Sequence, residues 1–501
     1  MILPFLCVLC VPLPFSASLR FHSQFVLQSS KFTHPQQRFL RPLSSFNLFN
    51  PFNSFNCGCG VSRAVFIRVH LWFRFLVSYF AATSSLAAVA ALLLNVLTVQ
   101  ARSSDSAIRD EWVDSDTGHR VIRLSRIPGE SESFYFHQNA FTATGDKMVF
   151  ANTSTNHSRN FFVYDWRTRK IDQLTESGAN RGEIVAPKSR QLYYMRDSVV
   201  YSTHLDTRVT KTIAELPRGW RGLTINADES LLAGAFGQGA AEISRGQPRS
   251  YWFKAIHDAK LPHLLFTLEI ATGKTNLIHR GNDWFNHVQF SPTDSSLLMF
   301  CHEGPWHLVD RIWNIRTDGS GLRLIHERSV TNEIAGHEFW SADGKTVWFD
   351  LQIPRGEKFY LAGVAADVRR LSSNSPQKDE SLLTSAATKE IRFPIERDQW
   401  SVHFNISHNG KVFAGDGGAP NMVARANNGK WLWLFTPQSD GSLKAEHLVN
   451  MSRHDYALEP NVNFNPDGKW LVFRGNFDGS AQVYAVEDAK TSQVAKNPKS
   501  E

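Results

Sequence analysis

From about Ser104 onward, apolar residues come in short runs that alternate with polar ones and break at polar turns. A period of two predicts strands rather than helices. One phrase recurs: an apolar residue, a two- to four-residue turn with Asp, Asn or Gly, then alternating apolar residues. It reads "FTATGDKMVFAN" from 141, "VAPKSRQLYYMR" from 185, "INADESLLAGAF" from 225 and "FSPTDSSLLMFC" from 290. It returns as "WSADGKTVWFDL" from 340, "ISHNGKVFAGDG" from 406 and "FNPDGKWLVFRG" from 464. This is hairpin chemistry. Several copies are followed by another strand and turn, as in "FFVYDWRTRKIDQLTE" and "LFTLEIATGKTNLIHR". Seven such units, spaced roughly 40–65 residues apart, match the four-stranded blades of a propeller. The expected fold is therefore all-β, a seven-bladed β-propeller. Two β-sandwiches would not repeat one phrase throughout.

The first hundred residues follow another rule. Residues 1–104 are rich in Phe, Ser and Leu, and from Leu71 to Val99 the text is nearly continuous apolar, with Arg63, Arg68 and Arg74 before or at its start. A basic flank ahead of an apolar run reads as a signal peptide or signal anchor. The stretch 75–99 is long enough to span a bilayer as a helix. The expected division is a hydrophobic, non-propeller targeting region over 1–104 and the propeller over 105–501. That predicts an exported or membrane-anchored protein, or a cytoplasmic one if translation starts downstream. "RLSSNSPQKDESLLTSAATKE", near 370–390, is polar and reads as a solvated insert. No Gly-x-Ser-x-Gly elbow occurs, so a propeller serving as the lid of a serine peptidase is excluded.

Charge sharpens this division. The 501-residue chain has a formal charge of +7. Its first 104 residues hold eight Lys/Arg and no acid, leaving 54 − 8 = 46 basic against 47 acidic residues in the body. A neutral body lacks the basic stripe that nucleic acid requires. An anionic substrate must be met by local charge. Cys301 is alone in the body, so the propeller stands on its core without an internal disulfide.

The densest chemistry lies in "FCHEGPWHLVDRIW", 300–313. A zinc-protease motif needs two histidines four apart on one helix. Here His302 and His307 are five apart, with Gly304 and Pro305 between them, and proline stops any helix. Further candidates are His287 in "NHVQFSP", His337 in "AGHEFWSADG" and His403 in "QWSVHFNISHNG". "SRHDYALEPNVNF" adds His454, Glu459 and Asn461. His337, His403 and the Glu459/Asn461 pair each precede a repeat turn, so closing the ring would bring them together.

These phrases carry a resemblance. "MFCHEGPWHLVDRIW" followed by "HEFWSADG", then "HFN", "GDGG" and the last blade, resembles the oligogalacturonate lyase family, and "SFYFHQNAFTATGDKMVF" fits it too. The likeness covers about residues 105–490. It implies a seven-bladed propeller that cleaves short galacturonate oligomers by β-elimination during pectin breakdown, with a divalent metal, typically Mn²⁺. Carried over by position, it implies His337 as general base, Arg311 as the arginine assisting at the reacting uronate, and His403 as a metal ligand. The family's other ligands come from a Gln-x-x-His-x-His phrase. Here Tyr456, Glu459 and Asn461 stand in those places, with His454 nearby as a further donor. Oxygen donors suit Mn²⁺, and equally Ca²⁺ or Mg²⁺. His287, His302, His307 and Trp306 are expected to shape the sugar cleft. Two alternatives stay open: a non-catalytic propeller that binds glycans or peptides, and a lyase acting on a different uronate oligosaccharide.

Overall fold

The computed structural model describes residues 110–491, apart from Ser177, Ala179 and 367–389. Among these residues seven antiparallel sheets follow one another along the chain. Six are four-stranded and use residues 130–173, 181–215, 220–281, 284–324, 334–394 and 404–450, here blades 1 to 6. The seventh is built from both ends of the described chain. Its strands Asn463–Phe464, Trp470–Gly475 and Gln482–Lys490 are completed by His119–Arg123 and Glu111–Val113. The expected seven-bladed propeller is present, and this closure is something the repeat phrase did not announce. Sharing a sheet between the two ends removes the exposed edge that an open ring would leave.

The core lies between blades. Val149, Phe150 and Val163 of blade 1 pack with Val185 and Leu192 of blade 2 and with Val472 and Val483 of blade 7. Each buried side chain of this kind stabilises by about 1.5–3 kcal/mol. The alternation read from the sequence is the cause, because the middle strands of each sheet bury side chains on both faces against the neighbouring sheets, while outer strands such as Thr210–Glu215 stay largely exposed.

Two features position the functional site. In blades 2 to 5 the inner strand carries a bulge at one equivalent place, with register breaks at Arg181/Ile184, Arg221/Thr224, Asn286/Gln289 and Gly336/Phe339. The residue inside each bulge has a left-handed backbone: Gly182 and Gly222 in blades 2 and 3, His287 and His337 in blades 4 and 5. Secondly, blade 3 is interrupted by two helices, Ala240–Ser244 and Arg249–Ala259, which the strand-only reading missed. The segment 75–99 and the insert at 370–389 lie outside the described residues. Among the described residues no helix is long and apolar enough to cross a membrane.

Candidate active site

His337 sits in the bulge of the blade 5 inner strand Ile334–Trp340, with φ +45°. In a regular strand neighbours point to opposite faces. The extra residue of the bulge re-aims the chain, so His337 and Glu338 are both buried. His337 Nδ1 meets Asp350 Oδ1 at 2.9 Å, across the strand pair that aligns Gly336 with Asp350. Among the described residues no hydrogen bond is made by Nε2. Burial, helped by His403 and Arg311, holds the His337 imidazole well below the usual histidine range. Burial also pushes Asp350 up to about 7. The pair therefore presents a neutral imidazole whose protonated form would meet a nearby carboxylate, as a general base needs.

His403 lies beside it, with ring centroids 4.5 Å apart. Asp416 fixes His403 twice, accepting from its backbone N–H at 2.8 Å and from Nδ1 at 2.7 Å. That assigns the proton to Nδ1 and leaves the Nε2 lone pair free to accept. Nε2 is 3.3 Å from the Tyr135 hydroxyl and 3.7 Å from Glu459 Oε2. Asn461, fully buried with φ +55°, donates its backbone N–H to Asp416 at 3.2 Å. Its side-chain oxygen accepts from Phe136 N at 3.3 Å.

Arg311 is only 1% exposed. Its Nε donates to Glu338 at 3.0 Å and its Nη1 to Glu303 at 2.5 Å. Nη2 lies 3.4 Å from His287 Nδ1, which is itself 3.1 Å from Glu338. Burial alone would raise both glutamates. Arg311 outweighs it, and Glu338 stays well below the usual carboxylate range. Trp306 covers this group, with its ring centroid 4.8 Å from the guanidinium carbon and 5.0 Å from the His337 ring. Its indole N–H donates to Glu303 at 2.9 Å. Gly336 makes that cover possible, since a Cβ there would stand 2.7 Å from the indole.

The structure thus brings together His337, Arg311, His403, Glu459, Asn461, His287 and Trp306. Three sequence candidates fall elsewhere. His302 alternates with Glu303 along Leu297–Glu303, so Glu303 turns to Arg311 while His302 stacks on Trp313 at 4.9 Å. Burial pushes it down to about 4. It is a packing residue. His454 commits both ring nitrogens, Nε2 to the Leu458 carbonyl at 2.7 Å and Nδ1 to Asn476 N at 3.3 Å. It has no nitrogen to offer a metal. His307 enters only through its carbonyl, which accepts from Arg328.

The sequence reading also passed over residues that the fold makes central. Asp350 and Asp416 orient the two histidines, while Glu303 and Glu338 hold Arg311. Tyr135 and His137 come from blade 1, whose chain leaves its inner strand at 133–140 to enter the ring. His137 stands 5.4 Å from His287, ring to ring. The only signal was "SFYFHQNAF", where three aromatics in a row break the period of two.

Two places qualify as cation sites. His287, Cys301 and Glu338 place ligand atoms within 4.8 Å of one another. Arg311 already supplies the positive charge there, and burial drives the Cys301 thiol well up. His403 with Glu459 and Asn461 fits better, as a carboxylate-oriented imidazole beside oxygen donors is what a divalent ion requires.

A mouth that couples an oriented neutral imidazole to a buried, charge-balanced guanidinium places this molecule among propellers equipped for proton transfer beside an anionic group. The comparisons narrow the class. The family model described as oligogalacturonate lyase matches residues 106–373, more than half of the chain. The chain is 27% identical over 397 residues to an oligogalacturonate lyase of Dickeya dadantii, covering 75% of this chain and 95% of that one. It is 26% identical over 404 residues to an oligogalacturonide lyase of Pectobacterium atrosepticum, with the same coverage. Among solved structures, an oligogalacturonate lyase in complex with manganese matches with TM-score 0.62 at 23% identity, covering 75% of this chain and 95% of its own. One from Vibrio parahaemolyticus matches with TM-score 0.63 at 24% identity, covering 76% and 96%. These two structural matches speak to the fold. This chain belongs to the oligogalacturonate lyase family.

Proposed function

We propose that the protein is an oligogalacturonate lyase, splitting short galacturonate oligomers, of two or three sugars, by β-elimination with His337 as base. The observation that carries this reading is the His337–Asp350 pair, packed against the Asp416-oriented His403. What separates this imidazole from the buried, neutral His302 is its setting: Asp350 holds Nδ1, and His403 and Arg311 stand beside the ring.

The residues act as follows. His337 Nε2 takes the C5 proton of a uronate, and the ionised Asp350 stabilises the positive charge that the imidazole then carries. The C5–H electron pair becomes the C4–C5 double bond as the bond from C4 to the glycosidic oxygen breaks. The departing sugar oxygen takes a proton from solvent, and His337 returns its own when product leaves. Arg311, held by Glu303 and Glu338, acts through the field it sets across the pocket and through the position of Glu338. In this reading the assistance that the resemblance implies for Arg311 is indirect. His403, Glu459 and Asn461 are the residues that would hold a divalent ion, Mn²⁺ first. When bound, that ion would neutralise the uronate carboxylate and so acidify the neighbouring C–H.

The test is turnover of di- and trigalacturonate by purified protein with Mn²⁺. Unsaturated or keto-deoxy uronate should appear, disappear with a chelator, and be absent from His337→Gln. No product from any uronate oligomer would overturn the reading. With 75–99 taken as an export or anchor segment, the enzyme works outside the cytoplasm on fragments left by polymer-cutting enzymes. Fractionating cells that express the full chain tests that placement, and protein confined to the cytoplasm would refute it.

A further inference from the structure

Blade 3 is the only sheet among the described residues whose second and third strands, Leu231–Gly237 and His263–Glu269, are linked through two helices. In the second of these, Arg249–Ala259, Trp252 and Ile256 stand one turn apart and both face a cavity of about 530 Å³. That volume lies within the range of ligand pockets, roughly 300–1,000 Å³. Trp252 packs on Trp284, where the inner strand of blade 4 begins, with centroids 5.6 Å apart. His287 and His137, whose rings are 5.4 Å apart, also line the cavity, so it reaches the histidine cluster.

Gly222 is part of the wall of this cavity. Gly222 occupies in blade 3 the bulge position that His287 and His337 occupy in blades 4 and 5, with φ +68°. A Cβ on Gly222 would meet nothing within 4 Å. Space that an imidazole fills elsewhere in the ring is open here. Beside it Arg221 is exposed, lines the same cavity, and has no acidic partner among the described residues. Arg311 is the opposite case, buried between two glutamates. An anion entering this side of the mouth finds one uncommitted guanidinium, next to two indole rings.

We infer that this cavity is the subsite for the uronate adjacent to the reacting one, with Arg221 binding its carboxylate and the Trp252–Trp284 pair covering the apolar face of its ring. The identity of the sugar rests on the lyase reading above, whereas the anion site rests on Arg221 and the cavity. Guanidinium pairs with carboxylate in two parallel hydrogen bonds, which an amide or an ammonium cannot reproduce in full.

The experiment measures trigalacturonate binding by calorimetry in a His337→Gln background, where substrate is not consumed, alongside KM and kcat in the otherwise unaltered enzyme. Arg221→Gln should raise Kd and KM about tenfold to a hundredfold, the loss of one charge-assisted contact. The kcat should stay within about threefold, since the contact is made equally before and during reaction. Arg221→Lys should recover part of the affinity. Digalacturonate monomethyl esterified at one of its two positions should bind wild type weakly and lose little more in Arg221→Gln. Unchanged Kd in Arg221→Gln, or equal losses for the acid and both esters, would overturn the subsite. Arg221-dependent binding without turnover in wild type would sink the lyase reading and keep the subsite. Normal turnover indifferent to Arg221 would do the reverse.

Discussion

Replacing Asp350 with asparagine isolates what the carboxylate does for His337, because the side chain keeps its shape and loses its charge. At the observed 2.9 Å, and with an effective dielectric near 20, an ionised Asp350 and a protonated His337 attract by about 6 kcal/mol. Part of this is cancelled by the cost of keeping the carboxylate dehydrated, the same cost that pushes Asp350 up to about 7. If about half survives, the transition state loses about 3 kcal/mol, or roughly a hundredfold in kcat. An amide can also donate to Nδ1 and so place the imidazole proton on Nε2, where the base must be bare. That tautomer would deepen the loss toward about 10⁴-fold. The pH profile adds a sign. Asp350 must be ionised to support the imidazolium, so wild-type kcat should rise with pH through about 7, and Asp350→Asn should lack that limb. The assay is steady-state release of unsaturated or keto-deoxy uronate from trigalacturonate at saturating Mn²⁺, with circular dichroism to verify the fold. A kcat within threefold of wild type that still rises near pH 7 would refute the pairing as a catalytic element.

Other expectations follow from the same geometry. Glu338→Gln strips one of two carboxylates from a buried guanidinium and should cost about 3 kcal/mol of stability, read as a lower urea midpoint; an unchanged midpoint would mean Glu303 alone suffices. Glu459→Ala should weaken Mn²⁺ binding at least tenfold by calorimetry, and His454→Ala should leave it alone; the reverse pattern would put the cation elsewhere. His326 lies between Glu333 at 2.6 Å and Glu390 at 2.9 Å. Burial would lower it, but the two carboxylates win and raise it above its ordinary value. A raised histidine adds stability that is complete below the unfolded value and fades as pH climbs through the folded one. His326→Gln should therefore lower Tm more at about pH 5.5 than at about pH 8.5, and an equal drop at both would refute the clamp.

The ring was legible because strand alternation and turn chemistry are local properties, repeated often enough in this chain to outvote any one irregular stretch. The helices of blade 3 were not. Trp252 and Ile256 are four apart on a short polar background, too little period to separate from a loop. His337, His403 and Arg311 were found through short phrases whose neighbours matter as much as themselves. Asp350 and Asp416 escaped because each meets its histidine across a pair of neighbouring strands, 13 residues along the chain, and spacing alone does not specify the register of that pairing. His302 and His454 lie away from the cluster for a related reason. Side-chain direction decides their role, and one residue of register sends His302 into the sheet packing while Glu303 reaches Arg311.

The bulge explains why the chemistry sits on one side of the mouth. A left-handed backbone costs a non-glycine residue about 1–2 kcal/mol, and a chain free to choose would place glycine at every such position, as blades 2 and 3 do. Blades 4, 5 and 7 instead carry His287, His337 and Asn461 there, at φ +48°, +45° and +55°. Each lies two residues before the inner strand re-enters its ladder. Three strained residues at one repeated position, all meeting the same cluster, are not a packing requirement, since glycine satisfies the turn elsewhere in the same ring. The strain is tolerated because it aims side chains that a regular strand would send into the blade interfaces. Glycine in blade 3 has its own consequence: a Cβ on Gly222 would meet nothing within 4 Å, so the place an imidazole takes in blades 4 and 5 borders the cavity assigned above to the neighbouring uronate.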